Sequence, residues 1–259
     1  MLNKAIKDVL KYRDYIYYNV IVNLKIKVSN TILGYFWWLL EPLLHMAIYT
    51  LIIVAILNKG DRLFPLHVFC GLLSWKWFNS TLTYSSSCLK ANSGILNQVY
   101  IPKFILPLQE MIGNLFRFLF GFVLIFVMMF IYRIAPTIHM FELVLVVVVN
   151  GIFILSFSLI IMHVGVYIHD TKNLLSHFNR VWWYLSPGIY SLTVIPEKYR
   201  WLYWLNPNTA IFESYRNIII RGSSPYYIHL FIWTIVFIII LFFGLKLLYR
   251  HDRNYTKII

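Results

Sequence analysis

The sequence is poor in cysteine and in acidic residues. Its 259 residues include two cysteines and 10 Asp and Glu, against 23 Lys and Arg. Cys70 and Cys88 lie in one apolar run, where eighteen helical residues would separate them by about 27 Å. A disulfide tolerates a Cα separation of only roughly 7 Å. The sequence therefore predicts two unbridged, apolar cysteines and leaves the redox compartment open.

Motifs for nucleotide binding and for catalysis are also missing. No G-x-x-x-x-G-K-[ST] loop occurs, and His163 with His169 has no third zinc ligand at useful spacing. The first 30 residues carry scattered charges, unlike a signal peptide. The net charge of +13 is spread between apolar runs, which fits anionic lipid rather than nucleic acid. We expect no catalytic, cofactor-binding or metal-binding residue on this chain.

Apolar residues dominate what is present. The chain is 60% hydrophobic and 13% charged, with mean hydropathy +0.69, whereas soluble domains are roughly 45–50% apolar and about 25% charged. Lipid must therefore solvate most of the chain, and helices are the default for spans inside lipid. The expected fold is an all-α polytopic membrane protein with six transmembrane helices, over about 32–57, 63–88, 104–132, 141–168, 174–195 and 227–249.

Basic residues predict the orientation. With the N-terminus inside, the inner segments hold 14 Lys and Arg and the outer segments 7, so the positive-inside rule places both termini in the cytoplasm. Segment 1–30 is too polar to span. Val20, Leu24 and Val28 form a stripe opposite polar residues, which predicts an amphipathic interface helix, with a plain soluble helix as the alternative.

Proline and glycine interrupt the region between spans 5 and 6. Ser186-Pro187-Gly188 should end the fifth helix, and Pro196 and Pro207 should break the chain again. The segments that remain are too short to cross a bilayer and too apolar to float. We therefore expect re-entrant or interfacial helices on the outer face, over residues 196–220.

Two groups of ionisable residues lie inside predicted spans. Glu41 and His45 share a helix face, as do Glu110 and Arg117. Intramembrane charges are costly and usually functional, so we expect Glu110 and Arg117 to face protein or water and to pair. The alternative is that Glu110 simply lies at the cytoplasmic boundary.

Aromatic residues, 19% of the chain, occur in clusters. An ordinary interfacial aromatic belt accounts for about half of them. The rest could line a path, because flat aromatic faces stack on the C–H surfaces of sugars. The candidates for a translocation path are Tyr35, Trp37, Trp38, Glu41, Trp75 and Trp77.

Three segments resemble a known family. They are ILGYFWWLLEPLL at 32–44, VYIPKFILPL at 99–108, and YLSPGIYSLTVIPEKYRWLYWLNPNTAIFESYRNIII at 184–220. In order and spacing they resemble the permease subunits of ABC-type polysaccharide exporters, the Wzm, KpsM and TarG group, and look most like the O-antigen export permease. The resemblance covers nearly the whole chain, as one permease domain over 1–259.

The resemblance implies a homodimer in the bacterial cytoplasmic membrane, working with two ATPase subunits that carry ATP and Mg. It implies a cytoplasmic coupling helix at 94–103, two outer helices before the last span, and a lipid-linked glycan as substrate. One departure is His169 before Asp170, where the family commonly has Arg, so the gate contact there is in doubt. The residues implied for coupling are Tyr100, Pro102, Lys103 and Asp170, and those for the outer gate are Pro187, Pro196, Trp201, Trp204 and Pro207.

Two other classes stay open at this point. A polytopic enzyme that modifies glycans, such as an acyl or glycosyl transferase, would need an acid/base or metal cluster at one membrane face. A secondary carrier would need more intramembrane charge. Within the exporter class, O-antigen, capsule and teichoic acid are all candidate substrates.

Overall fold

The chain is all-helical. A computed structural model describes residues 2–29 and 31–258, apart from the side chains of residues 253, 256 and 257. Helix accounts for 83% of the chain, and the described residues contain no β-strand. Positions 1, 30 and 259, which include both ends of the predicted interface segment, lie outside the described residues. Cys70 and Cys88 are free and buried, as predicted.

The N-terminal segment forms two helices instead of one. Helix α1 covers Leu2–Lys11 and α2 covers Arg13–Ser29, with a break at Tyr12. Helix α2 packs on α7 (Ile105–Tyr132). It buries Ile16, Val20 and Val28, so two of the three predicted stripe residues are buried and Leu24 is half-buried.

Six longer helical segments follow. A 3₁₀ turn at Gly34–Phe36 leads into α3 (Trp37–Thr50), which continues as a π-helix over Leu51–Ile56. Next come α4 (Phe64–Ser85), α7, then α8 (Leu143–Tyr167) after a 3₁₀ turn at Ile138–Glu142. The last two are α9 (Thr171–Leu185) and α12 (Tyr227–Ile258).

Four of these segments are long and apolar enough to cross a membrane: Gly34–Ile56, Ile105–Tyr132, Ile138–Tyr167 and Tyr227–Asp252. Helix α4 has 22 residues, about 33 Å, but it is more polar and most of it is buried among other helices. Helix α9 has 15 residues, about 22 Å, which is shorter than the roughly 30 Å hydrocarbon layer. Length and composition therefore support four of the six predicted spans.

Short helices connect the long ones. Between α4 and α7 lie α5 (Cys88–Ala91) and α6 (Ser93–Gln98). Helix α9 ends at Leu185, where Ser186-Pro187-Gly188 was expected to end it. A 3₁₀ turn at Leu192–Val194 precedes α10 (Glu197–Trp204) and α11 (Pro207–Arg216), and α11 continues as a π-helix over Asn217–Arg221.

Buried apolar side chains form two clusters. The larger one joins α4, α7, α8, α9, α11 and α12. The smaller one joins α1 and α2 to α5, α6 and the C-terminal part of α12. Tyr249 of α12 donates a hydrogen bond to Asp8 of α1 at 2.6 Å. The N-terminal helices, the α5–α6 segment and the C-terminus therefore lie together at one end of the bundle.

Candidate functional site: a polar cavity between four helices

A cavity of about 580 Å³ lies between α3, α4, α7 and α9. Its walls combine aromatic rings with polar groups, although α3 and α7 are among the most apolar helices of the chain. Lipid does not stabilise charges of this kind, so the cavity requires water or a ligand. Its ionisable and most buried polar lining residues are Glu41, His45, Lys76, Asn114, Arg117, Asn179 and Arg180.

An ion pair joins α3 and α4 in the cavity wall. Lys76 Nζ of α4 lies 2.6 Å from Glu41 Oε1 of α3. One turn further along α3, the ring of His45 donates from Nδ1 to the Glu41 carbonyl oxygen at 2.8 Å. The shared helix face of Glu41 and His45, predicted from their spacing, therefore points into the cavity.

Glu110 pairs with Lys27 instead of Arg117. Lys27 of α2 donates to Glu110 Oε1 at 2.7 Å, and Glu110 is only 6% exposed. The Asn114 amide donates to Glu110 Oε1 at 3.2 Å and to the Thr81 hydroxyl of α4 at 3.0 Å. The predicted Glu110–Arg117 pair is wrong, because α2 supplies a closer cation.

Arg117 instead lies beside an aromatic ring. Its guanidinium carbon is 5.8 Å from the centre of the Trp38 ring, within the range of a cation–π contact. Both side chains line the cavity. The ring supplies a weak attraction and no hydrogen-bond acceptor.

The predicted path residues divide into two groups. Trp38, Glu41, Trp75 and Trp77 line the cavity, whereas Tyr35 and Trp37 do not. Consecutive helical residues point about 100° apart, so Trp38 faces inward and its neighbour Trp37 faces outward. Tyr35 and Trp37 therefore lie outside this cavity, and their assignment to a translocation path stays a prediction.

Trp183 was not among the residues predicted to line a path. Trp183 of α9 also lines the cavity. Its Nε1–H donates to the Tyr49 hydroxyl of α3 at 3.1 Å. This hydrogen bond ties the far wall to the first long helix. Trp183 follows Trp182 directly in a cluster that fits an interfacial belt equally well, so no sequence signal separates the two.

The predicted coupling segment is only partly helical, and its lysine is inaccessible. The predicted helix covered residues 94–103, but α6 ends at Gln98. Residues 99–103 are therefore not helical. Lys103 is 3% exposed and Pro102 is buried, and burial lowers the pKa of Lys103. Tyr100 is exposed. Of the three residues predicted in this segment, only Tyr100 is therefore exposed, and their role in coupling stays a prediction.

Asp170 occupies the N-cap position of α9 and is exposed, as is its neighbour His169. The Asp170 side chain makes no capping hydrogen bond. Both residues are therefore free to meet another protein or water.

The predicted outer-gate residues lie in the α9–α12 connection. Pro207 is the first residue of α11, and Asn206 caps it by accepting from the Asn208 backbone N–H at 3.1 Å. Trp204 stacks on His229 with ring centres 3.9 Å apart. Trp201 and Pro196 are exposed, and the carbonyl of buried Pro187 is hydrogen-bonded.

An ion cluster of two buried residues, Glu213 and Arg216, and the exposed Arg221 organises this connection. Arg216 is 0% exposed and lies 2.7 Å from Glu213 Oε1. It also donates to the carbonyls of Pro187 (2.6 Å), Gly188 (2.7 Å), His67 (3.1 Å) and Tyr190 (3.4 Å). Arg221 lies 3.3 Å from Glu213 Oε2. The i, i+3 spacing of Glu213 and Arg216 was the available sequence signal, but it did not show that the pair is buried.

Apolar helices that surround a charged, aromatic cavity define a polytopic helical membrane protein with a polar passage or binding site. Residues 16–220 match the family described as ABC-2 type transporter. The match covers most of the chain, and the chain belongs to this family.

Curated relatives cover most of the chain at low identity. An O-antigen export system permease protein RfbA from Myxococcus xanthus is 26% identical over 224 residues, 86% of each chain. A protein of the same name from Klebsiella pneumoniae is 27% identical over 239 residues, 92% of each chain. The polysialic acid transport protein KpsM of Escherichia coli is 26% identical over 223 residues, 83% of this chain and 84% of that one.

Proposed function

We propose that this chain is the membrane subunit of an ATP-driven exporter that moves a lipid-linked polysaccharide across the bacterial cytoplasmic membrane. Its relatives are named for the export of O-antigen and the transport of polysialic acid, and they match it over most of their length. O-antigen is the first candidate substrate, and capsule and teichoic acid are the others.

The cavity is the observation that carries this proposal. Aromatic faces from Trp38, Trp75 and Trp183 alternate there with charged and amide groups. Aromatic faces hold sugar rings without a fixed register, which suits a polymer that must move. The polar groups replace the water that sugar hydroxyls lose.

A second copy of the chain would complete the passage. Only 6% of the residues in the most apolar stretch of Gly34–Ile56 are buried. Helix α9 exposes Phe178, Val181 and Tyr184. Helices α3 and α9 both line the cavity. A homodimer joined through these helices would cover their apolar faces and enclose the cavities. In this arrangement α4 and α9 count as spans, which gives six with both termini in the cytoplasm.

Energy would come from a separate ATPase, which binds ATP and Mg. In the segment between α4 and α7, Ile95, Val99 and Tyr100 are exposed while Leu96 and Ile101 are buried. The exposed apolar residues form a surface suited to docking a partner, and Asp170 would contribute from the start of α9. Movement of this surface would reach the cavity through α7, which begins at Ile105.

Complementation tests the export function. Deleting the gene should remove polymer from the cell surface and leave lipid-linked polymer inside, and the intact gene should restore export. Trp38→Ala should reduce export because it removes an aromatic face from the cavity. Phe231→Ala is the matched control, because exposed Phe231 lies on α12, outside the cavity, and this variant should retain export. Full export by the Trp38→Ala protein at normal abundance would count against the assignment.

Co-purification tests the docking surface. The triple variant with Ile95, Val99 and Tyr100 each changed to Ser should lose most of the co-purifying ATPase subunit. Exposed Val194 is the control position, and Val194→Ser should leave the complex unchanged. Equal recovery of the ATPase with both variants would show that docking lies elsewhere.

A further inference from the structure

The cavity has more positive than negative charge. Lys76, Arg117 and Arg180 line it, against the single carboxylate of Glu41. The four enclosing helices contain one further carboxylate, Glu110. Both carboxylates are already matched, because Glu41 pairs with Lys76 and Glu110 with Lys27. The half-buried guanidinium of Arg117 and the exposed one of Arg180 therefore have no carboxylate partner among the described residues.

Arg117 is the more informative of the two. It is the thirteenth residue of the 28-residue helix α7, far from either end. Among the described residues it has no ion pair and no hydrogen bond to protein, and its Nε is buried without an acceptor. A charge at this depth normally pairs or serves a ligand. A second copy of the chain would add the same cationic surplus and would not neutralise it.

Two buried side-chain amides that line the cavity, one on α7 and one on α9, have oxygen atoms that lack a hydrogen-bond donor. Asn114 is 3% exposed and Asn179 is 2% exposed. Their –NH₂ groups are used, by Glu110 and Thr81 in one case and by Asn79 in the other. Their Oδ1 atoms accept no hydrogen bond from any residue that the structure describes. Buried acceptors of this kind require a donor, and the hydroxyl groups of a sugar are donors.

We propose that Arg117 and Arg180 form an anion subsite in the cavity, which binds a phosphate or diphosphate ester attached to a sugar. A guanidinium binds such oxygens through two parallel N–H bonds. Trp38 beside Arg117 offers a face for the adjoining sugar, and Asn114 and Asn179 accept from its hydroxyls. The doubly charged ester matches two surplus cations, whereas a single uronic acid does not. This subsite rests on the proposed function, since it specifies which part of the glycan the cavity recognises.

Calorimetric titration of the purified, full-length protein in detergent tests the subsite. Inorganic pyrophosphate should bind saturably, and glucose should bind at least tenfold more weakly. Arg117→Gln and Arg180→Gln should each weaken pyrophosphate binding at least tenfold. Arg117→Lys, which keeps the charge but loses the planar fork, should give an intermediate affinity. Arg200→Gln, outside the cavity, should bind as the unmodified protein does.

Two further probes identify the source of the phosphate. Tighter binding of farnesyl diphosphate than of glucose 1-phosphate would assign the subsite to a lipid headgroup, and the reverse order to a phosphate within the glycan; either order supports the subsite. Equal pyrophosphate binding by the two Gln variants and the unmodified protein, or no binding of any anion, would overturn it. Export in the complementation assay would be unaffected by that failure, so the two proposals fail separately.

Discussion

Replacing Arg216 should strongly destabilise the connection between α9 and α12. Arg216→Met removes the donors to four carbonyl groups and the ion pair to Glu213, which is itself 1% exposed. Breaking one partner of a buried pair costs about 3–5 kcal/mol, because the remaining charge is left desolvated. Arg221, 3.3 Å from the other Glu213 oxygen, offsets part of that cost.

The measurement is thermal unfolding of the detergent-solubilised protein, followed by the loss of the monodisperse peak in size-exclusion chromatography. A loss of about 3–5 kcal/mol in the free energy of unfolding should lower the midpoint of thermal unfolding by on the order of 10 °C. The double change Arg216→Met with Glu213→Leu should recover part of the stability, because it removes the stranded carboxylate as well.

Arg200 supplies the matched control. It forms the same i, i+3 pair with Glu197, at 3.3 Å, but Glu197 is exposed and Arg200 is only half-buried. Exposed pairs contribute about 0.5 kcal/mol, so Arg200→Met should leave the midpoint nearly unchanged. If Arg216→Met and Arg200→Met unfolded at the same temperature, the reasoning about the ion cluster would be refuted.

Two further changes test helix contacts. Gly165→Ala would place a methyl carbon against the backbone carbonyl of Ser86, which directly follows α4, so this contact must open, and we expect a loss of about 1–3 kcal/mol in the same unfolding assay; an unchanged midpoint would contradict the contact. Lys27→Met leaves the carboxylate of Glu110 buried and unpaired, so it should lower the midpoint, and adding Glu110→Gln should restore most of it. Failure of that second change to rescue would argue against the pair.

The sequence predicted those features that depend on local chain chemistry. The end of α9 at Leu185 follows from Ser186-Pro187-Gly188, and the start of α11 follows from Pro207. The shared helix face of Glu41 and His45 follows from their i, i+4 spacing.

Features set by distant contacts could not be predicted in the same way. Arg216 is held by carbonyls up to 149 positions away, and Glu110 by a lysine 83 positions away. The family resemblance implied that Lys103 takes part in coupling, but the packing of neighbouring residues buries its side chain. The predicted count of six spans is likewise not confirmed, because α9 is shorter than the hydrocarbon layer and α4 is more polar than the four supported spans.

The central claim is that polymer passes through the cavity between α3, α4, α7 and α9. Ser80 lines that cavity and is exposed, while both native cysteines are buried. A Ser80→Cys protein can therefore be modified with a bulky hydrophilic thiol reagent, with Val194→Cys, outside the cavity, as the control. We predict that modification at position 80 stops polymer export and that modification at position 194 does not. Undiminished export by a fully modified Ser80→Cys protein would contradict the account.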